Sequence, residues 1–262
     1  MKKMVGIMLL LCSIMPFMAC TSTEDEPYKP ETEQPSDDPN NNEEEDNDTT
    51  PVYGHLTTAN TVSDVVNHEA FNGFGRFILP AERSYNDNMT LQNVASMLPY
   101  HNYITGERAV ETINTMIDYV HDGNTLFYDI YSDADKQADS RKNNTGVFFF
   151  RGEPGKPFAI VCPGGGFSYV GAIHEGFPLA IALSKMGYNA FSIQYRTGGA
   201  QVACEDLAGA IDFIMRHAEE LQVSTDDYSL WGGSAGARMA AYLGSYGTQG
   251  SSVRYIRVRQ RS

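Results

Sequence analysis

A serine flanked by glycines follows an apolar run late in the sequence, in the order Gly232-Gly233-Ser234-Ala235-Gly236. This order fits the G-x-S-x-G pattern, in which a strand reverses sharply into a helix and exposes a serine at the reversal. The outer glycines remove side chains that would clash at such a turn. Ser234 is therefore the candidate nucleophile, a hydroxyl that could attack a carbonyl carbon and form a covalent intermediate.

A second glycine-rich motif lies about seventy residues earlier, in the order Pro163-Gly164-Gly165-Gly166-Phe167. Three consecutive glycines let the backbone turn tightly and leave its N–H groups bare of side chains. Such N–H groups can stabilise the negative oxygen of a tetrahedral intermediate. Taken alone, the motif is equally consistent with an ordinary turn or with a phosphate cradle.

Strands and helices alternate along the second half of the chain. Apolar runs predict strands over residues 125–131, 147–151, 158–162, 189–195 and 228–231. Helical spacing predicts helices over residues 109–120, 175–186, 203–221 and 235–243. This alternation with short links predicts an α/β fold with a mostly parallel sheet and right-handed crossovers. Both glycine motifs directly follow a predicted strand, so they should meet at the edge where such sheets bind ligands.

With both motifs in this order, residues 125–247 resemble the α/β-hydrolase superfamily, on the branch with an HGGG-type oxyanion loop that includes acetyl esterases, lipases and carbohydrate esterases. The resemblance implies an α/β-hydrolase sheet with flanking helices and hydrolysis of carboxylic esters, including acetyl or carbohydrate esters, without a cofactor. It implies Ser234 as nucleophile, with the N–H groups of Gly165, Gly166 and Ala235 as oxyanion donors. Pro163 stands where that motif has a histidine, which is not a member of the catalytic triad.

In this superfamily the triad acid and histidine follow the serine along the chain. No His, Asp or Glu occurs between residues 235 and 262. We therefore expect residues 124–250 to be a partial α/β-hydrolase domain that lacks the last strands of the sheet. Residues 251–262 carry four arginines and no acid, which favours a frameshifted or truncated end over a genuine basic tail. Two hypotheses result: a serine esterase, or an inactive remnant that persists as a non-catalytic cell-envelope lipoprotein.

The histidines and cysteines suggest no second site. His174 lies in the loop after the glycine run, and we favour a role in shaping the pocket or capping a helix over a Ser234–His174 dyad. No spacing of His and Cys resembles a metal site, so no metal is expected. Cys162 and Cys204 are predicted to be buried free thiols, with a disulfide between them as the alternative.

The N-terminus has the features of a secretion signal. Residues 1–4 are short and positive, and residues 5–18 are almost wholly apolar, too short to span a bilayer comfortably. The sequence Ala19-Cys20 resembles the lipobox of bacterial lipoproteins, with an ordinary signal peptide as the alternative. The resemblance implies removal of residues 1–19, lipid attachment at Cys20, and anchoring in the cell envelope at the periplasmic face or the cell surface.

Residues 20–51 predict a disordered tether. Between residues 21 and 50 there are twelve acids against one basic residue, Lys29, with four prolines. Such a segment cannot bury enough apolar surface to offset its chain entropy. Most of the net charge of −14 lies here, so the rest of the chain is only mildly acidic, which argues against a nucleic-acid partner. Residues 52–123 predict an N-terminal extension that packs on the sheet or covers it as a lid.

Overall fold

The computed structural model describes residues 54–80, 82–83, 85–97 and 103–247. The predicted signal of residues 1–19, the lipidation site Cys20, the tether of residues 20–51 and the basic tail of residues 251–262 lie outside the described residues. Among the described residues, no helix is long and apolar enough to cross a membrane.

The core of the described region is a five-stranded sheet. Its strands are β1 (Phe127–Tyr128), β2 (Gly146–Phe150), β3 (Pro157–Cys162), β4 (Asn189–Gln194) and β5 (Ser224–Gly232). Their order across the sheet is β1-β2-β4-β3-β5. β3 is therefore flanked by parallel partners, β4 on one side and β5 on the other.

The sheet is mixed, because the two strands at its other side run antiparallel. β1 pairs antiparallel with β2, and β2 pairs antiparallel with β4. The parallel part expected from the alternation of strands and helices thus covers β4, β3 and β5. The carboxyl ends of these three strands share one border of the sheet, which we call the carboxyl edge, and their first residues share the opposite border, the amino edge.

Seven α-helices accompany the described strands. They are α1 (Val62–Val66), α2 (Gly106–His121), α3 (Asp133–Ala138), α4 (Phe177–Lys185), α5 (Ala200–Arg216), α6 (Ala218–Leu221) and α7 (Ser234–Tyr246). Short 3₁₀ turns occupy Glu69–Phe71, Gly75–Phe77, Leu91–Met97 and Ser140–Asn144. One turn of π-helix, Ala172–Gly176, directly precedes α4.

Successive side chains of a strand point to opposite faces of the sheet, and helices pack on both. Phe148 of β2 packs against Phe177 of α4, with ring centroids 4.6 Å apart. The next residue, Phe149, stacks on Phe191 of β4 at 4.3 Å. On the face of Phe149, Tyr128 of β1 contacts Phe213 of α5. All five residues of β2 and all six of β4 are buried, although β4 includes the polar residues Asn189, Ser192 and Gln194.

The described part of the N-terminal extension packs on the antiparallel side of the sheet. Phe74 stacks on Phe127 of β1 with a centroid separation of 5.2 Å. α2 runs between the two edges: the Tyr103 hydroxyl, just before it, donates to the His174 carbonyl, whereas Tyr119, near its end, accepts from the Arg151 N–H beyond β2. A helix of 16 residues is about 24 Å long, enough to span the strands from edge to edge.

A buried ionic network lies at the carboxyl edge, just beyond β4. The Arg196 guanidinium donates to Asp206 of α5 at 2.8–3.1 Å, and the Arg196 backbone N–H donates to the same carboxylate at 2.6 Å. The Tyr131 hydroxyl donates to Asp206 at 2.7 Å. Burial raises the pKa of Asp206, a rise that the Arg196 hydrogen bonds oppose. Burial and the nearby Asp206 carboxylate also raise the pKa of Tyr131, so its hydroxyl remains a donor.

Replacing Asp206 by alanine should destabilise the domain. Arg196 is only 5% exposed, and its buried charge would lose its principal partner. We expect the free energy of unfolding, measured by urea denaturation, to fall by on the order of 3 kcal/mol. The matched control on the same helix is Asp212→Ala, which breaks the more exposed Arg216–Asp212 pair and should cost about 0.5 kcal/mol or less. Equal losses in the two variants would contradict this account of the network.

Candidate active site

The two glycine motifs begin side by side at the carboxyl edge. β3 and β5 pair in parallel register with Cys162 opposite Gly232. Neighbouring strands of a sheet lie about 4.8 Å apart. The chain leaves β3 into residues 163–166, which we call the oxyanion loop after their predicted role. It leaves β5 into residues 232–236, which we call the nucleophile turn for the same reason. Two segments some seventy residues apart in sequence are thereby brought together by one pair of hydrogen-bonded strands.

Ser234 lies at the sharp reversal from β5 into α7. Its φ of +49° places it in the left-handed region, which a residue with a side chain adopts at a cost of about 1 kcal/mol. A methyl group on Gly236 would stand 1.8 Å from the Cys162 carbonyl oxygen, and one on Gly232 would stand 2.5 Å from the Gly236 carbonyl carbon. Only glycine therefore lets α7 begin against the end of β3. The serine itself is exposed.

Two carbonyl groups of the oxyanion loop accept hydrogen bonds from the segment that follows it. The Gly164 carbonyl accepts from the Gly171 N–H at 3.0 Å, and the Gly165 carbonyl accepts from the Ser168 N–H at 2.9 Å. In a trans peptide the N–H points opposite to the C=O of the same unit. The N–H groups of Gly165 and Gly166 therefore point away from these two contacts, and their role as oxyanion donors stays a prediction.

Ala235 contributes the third predicted donor. It follows Ser234 in the first turn of α7, where backbone N–H groups have no acceptor within the helix. The helix dipole adds a partial positive charge at this end. The structure thus brings the predicted residues Ser234 and Ala235 to the carboxyl edge next to the loop that holds Gly165 and Gly166.

Tyr195 supports the oxyanion loop from the protein interior. Its hydroxyl donates to the Pro163 carbonyl at 2.8 Å and lies 3.4 Å from the Gly164 carbonyl oxygen. The residue is fully buried, and burial raises the pKa of its phenol, so the hydroxyl stays a donor. Sequence reasoning missed this role, because Tyr195 reads as the apolar end of a strand.

Glu175 is a second residue whose position the sequence did not reveal. Its carboxylate Oε2 accepts the Gly164 N–H at 2.6 Å. Gly164 is therefore engaged with a side chain, unlike the two glycines after it. The only signal in the sequence is a carboxylate in the segment between β3 and α4, which by itself does not distinguish a site residue from an ordinary loop acid.

The N-terminal extension reaches the same edge. The Gln194 side-chain amide at the end of β4 donates to Glu82 at 3.3 Å. The Arg83 guanidinium lies over the Tyr169 ring, 5.2 Å from its centroid. Tyr169 follows the oxyanion loop, and a methyl group on Gly165 would stand 1.9 Å from its carbonyl oxygen. Residues 82–83 thus lie beside the candidate site, where the prediction that the extension covers the sheet as a lid remains a prediction.

Three of the described histidines lie toward the amino edge, away from Ser234: His55, His121 and His217. His55 bonds to Asp118 at 2.6 Å near the end of α2, which His121 terminates. His217 caps the end of α5 and pairs with Glu220 at 3.1 Å. His68 uses both ring nitrogens locally, on the Gly54 carbonyl and the Ala70 N–H.

His174 lies at the carboxyl edge, within the π-helical turn before α4. Its side chain is 1% exposed, whereas Ser234 is exposed. Its backbone carbonyl receives the Tyr103 hydroxyl at 3.2 Å. The N-terminus of α4 has no side-chain cap, so His174 does not cap that helix, and its predicted role in shaping the pocket stays a prediction. His101 lies outside the described residues.

The structure also places the two cysteines of the fold and the side chains that could bind a metal. Cys162 and Cys204 are both buried as free cysteines, as predicted. Burial raises the pKa of both thiols, so both stay protonated near neutral pH. Within the described ranges, no group of three or more His, Cys, Asp or Glu side chains is arranged to hold a metal ion.

Part of the chain matches a known protein family. Residues 151–256 match a family model described as BD-FAE. The match spans β3, β4 and β5 with both glycine motifs. The sheet with its flanking helices is of the α/β class, as the sequence predicts. A comparison with curated protein sequences gave no match.

Several solved structures are similar to part of the chain. An acetyl ester-xyloside bifunctional hydrolase from Caldicellulosiruptor lactoaceticus shares 24% identity over 39% of this chain and 39% of its own, with a TM-score of 0.37. A sugar hydrolase from Lactococcus lactis shares 28% identity over 38% of this chain and 43% of its own, with a TM-score of 0.36. Esterase 2 of Thermogutta terrifontis shares 24% identity over 37% of this chain and 40% of its own, with a TM-score of 0.33. The chain therefore spans less than half the length of each of these structures.

Replacing Gly236 by alanine should disrupt the α/β-hydrolase turn at Ser234. The new methyl group would lie 1.8 Å from the Cys162 carbonyl oxygen, so α7 or β3 must shift. We expect the free energy of unfolding to fall by about 2–3 kcal/mol, the usual cost of overpacking. The control is Gly171→Ala in the neighbouring loop, where the methyl group would meet its nearest atom at an ordinary 3.4 Å. Similar urea midpoints for wild type and Gly236→Ala would refute the close approach.

Proposed function

We propose that this chain is a serine ester hydrolase that uses Ser234 as its nucleophile and acts on small carboxylic esters, including acetyl or other esters of carbohydrates. The observation that carries the proposal is the pairing of Cys162 with Gly232. That pairing puts a serine in a strained, exposed turn beside the loop whose N–H groups we propose as oxyanion donors. Similarity to esterases and to a family model supports the same reaction class.

The proposed reaction proceeds through an acyl-enzyme. The Ser234 hydroxyl oxygen attacks the ester carbonyl carbon as its proton passes to a base, and a tetrahedral oxyanion forms. The N–H groups of Gly165, Gly166 and Ala235 stabilise this oxyanion, a contribution of about 3 kcal/mol for a single donor in comparable enzymes. Collapse of the intermediate breaks the ester C–O bond and leaves the acyl group on Ser234 Oγ, while the base returns its proton to the departing alcohol oxygen. Water then attacks the acyl-enzyme and releases the acid.

The base must reach Ser234 from the carboxyl edge. A proton acceptor has to approach the serine oxygen to about 3 Å. His55, His121 and His217 are directed toward the amino edge and do not fit this role. Oxyanion stabilisation alone can retain part of the rate advantage when a triad member is lacking. The proposal therefore predicts covalent chemistry at Ser234 even where turnover is slow.

Ser234 should be the site of labelling by a fluorophosphonate probe. We expect intact-mass and peptide analysis of residues 21–262 to show one adduct on Ser234, and no adduct in Ser234→Ala. Ser184→Ala is the control, since that hydroxyl bonds to the Ile181 carbonyl on α4 and plays no part in the site. Slow labelling with measurable ester hydrolysis supports the esterase. Complete resistance of the wild-type protein to the probe and to p-nitrophenyl acetate would instead favour a non-catalytic envelope lipoprotein.

We also propose that the protein is anchored to the bacterial cell envelope through a lipid on Cys20. The lipobox-like Ala19-Cys20 after an apolar stretch supports this, and the acidic residues 20–51 would hold the domain away from the membrane by self-repulsion. One acyl chain gives only marginal binding, so stable anchoring needs more than one chain.

The anchor is tested by cell fractionation and radiolabelled palmitate. Wild-type protein should be labelled and recovered with the membranes, whereas Cys20→Ala should be unlabelled and released or left unprocessed. Cys12→Ala is the matched control, because Cys12 lies within the segment that would be removed and should leave labelling unchanged. Palmitate incorporation that persists in Cys20→Ala would rule out this site.

A further inference from the structure

The Glu175 carboxylate fills the space between the oxyanion loop and the nucleophile turn. Oε2 accepts the Gly164 N–H at 2.6 Å. A methyl group on Gly164 would stand 2.9 Å from Oε2, and one on Gly233 would stand 2.8 Å from the same oxygen. The carboxylate therefore contacts both turns at once, and it occupies the volume that side chains at these two positions would take.

The backbone around Glu175 is tied to the same loop. The Glu175 N–H donates to the Gly171 carbonyl at 2.8 Å, and the Gly171 N–H donates to the Gly164 carbonyl at 3.0 Å. Main chain and side chain thus close a ring of hydrogen bonds on the two polar groups of Gly164. The π-helical turn Ala172–Gly176 sets the direction of the Glu175 side chain, since the extra residue of such a turn rotates its neighbours about the helix axis.

We propose that Glu175 is a positioning residue that holds the oxyanion loop at a fixed distance from Ser234. It acts through Gly164 on one side and Gly233, the residue before the nucleophile, on the other. A hydrogen bond to a carboxylate is roughly twice as strong as one between neutral groups, which suits it to fixing a glycine-rich loop. The inference rests on the proposed function, because the distance it fixes matters only if Ser234 reacts.

The hydrogen bond to the Gly164 N–H explains how the Glu175 carboxylate can lie close to the position of the proposed oxyanion. The Gly164 N–H neutralises part of the charge, and the N–H groups of Gly165 and Gly166 lie on peptide units oriented by other carbonyl contacts. The volume and acceptor oxygen of residue 175 should set the position of the loop, and its charge should strengthen the hydrogen bond. Glutamine retains that oxygen and almost the same volume, whereas alanine loses both.

The first test compares Glu175→Ala with Glu175→Gln in fluorophosphonate labelling of Ser234. We expect kinact to fall about 100-fold in the alanine variant, as for a misplacement of about 1 Å. KI should change little, since the residue does not touch the probe. The glutamine variant should recover most of the rate, to within about tenfold of wild type. Glu219→Ala, an exposed acid on α6, is the control and should match wild type. An unchanged kinact in Glu175→Ala overturns the proposal.

A double-mutant cycle separates positioning from general destabilisation. Gly233→Ala places a methyl group 2.8 Å from Oε2 and should displace the carboxylate, slowing labelling. In the Glu175→Ala background the same methyl group has room, so the second substitution should change kinact by less than about threefold. Additive losses in proteins of equal melting temperature would contradict a shared contact.

Amide NMR makes the test independent of labelling. With ¹⁵N-glycine, the short Gly164 hydrogen bond should give a resonance far downfield that disappears in Glu175→Ala and persists in Glu175→Gln. If wild-type Ser234 fails to react but this resonance behaves as expected, the proposed function fails while the contact stands. If Ser234 reacts normally and no glycine resonance responds to Glu175→Ala, the esterase stands and the positioning role falls.

Discussion

The candidate site depends on one constraint, the parallel pairing that sets Cys162 beside Gly232. A shift of this register by one residue would turn every side chain of the strand to the other face. It would also separate the end of β3 from the start of α7, where Gly236 lies against the Cys162 carbonyl. Strand pairing, rather than any contact made by the serine side chain, therefore decides where the nucleophile stands relative to the N–H groups.

The candidate site residues all lie at one edge of the sheet as a result of this pairing. The carboxyl edge holds Ser234, the oxyanion loop, Glu175 and residues 82–83 of the N-terminal extension. The hydrogen bond between His55 and Asp118 and the end of α5 lie at the amino edge. α2 connects the two, with Tyr103 near one end and Tyr119 near the other. The hydrogen bond between His55 and Asp118 therefore has a structural role, because it joins the start of the extension to α2.

Much of this arrangement could be predicted from the sequence, and the reasons are local. Residues 158–162 could be recognised as a buried strand because they form a continuous apolar run. The Gly-x-Ser-x-Gly turn could be recognised because its backbone geometry requires glycine. The antiparallel direction of β1 and β2 could not be predicted, because it depends on partners distant in sequence. β5 begins at Ser224, four residues before the expected start, since its exposed polar beginning lacks an apolar signal. The contacts of Tyr195 and Glu175 could not be predicted for a related reason: both side chains hydrogen-bond to backbone atoms, which carry no residue-type signature.

The measurement that tests this account most directly is a crystal structure of residues 21–262 with phenylboronic acid bound. A boronate accepts the serine oxygen and mimics the tetrahedral intermediate without requiring turnover. The account predicts boron bonded to Ser234 Oγ, with one boronate oxygen about 2.7–3.1 Å from the backbone nitrogens of Gly165, Gly166 and Ala235. It also predicts Glu175 still bound to the Gly164 N–H. A boronate on Ser234 whose oxygens approach none of these nitrogens would contradict the central claim that the two glycine turns together form one oxyanion site.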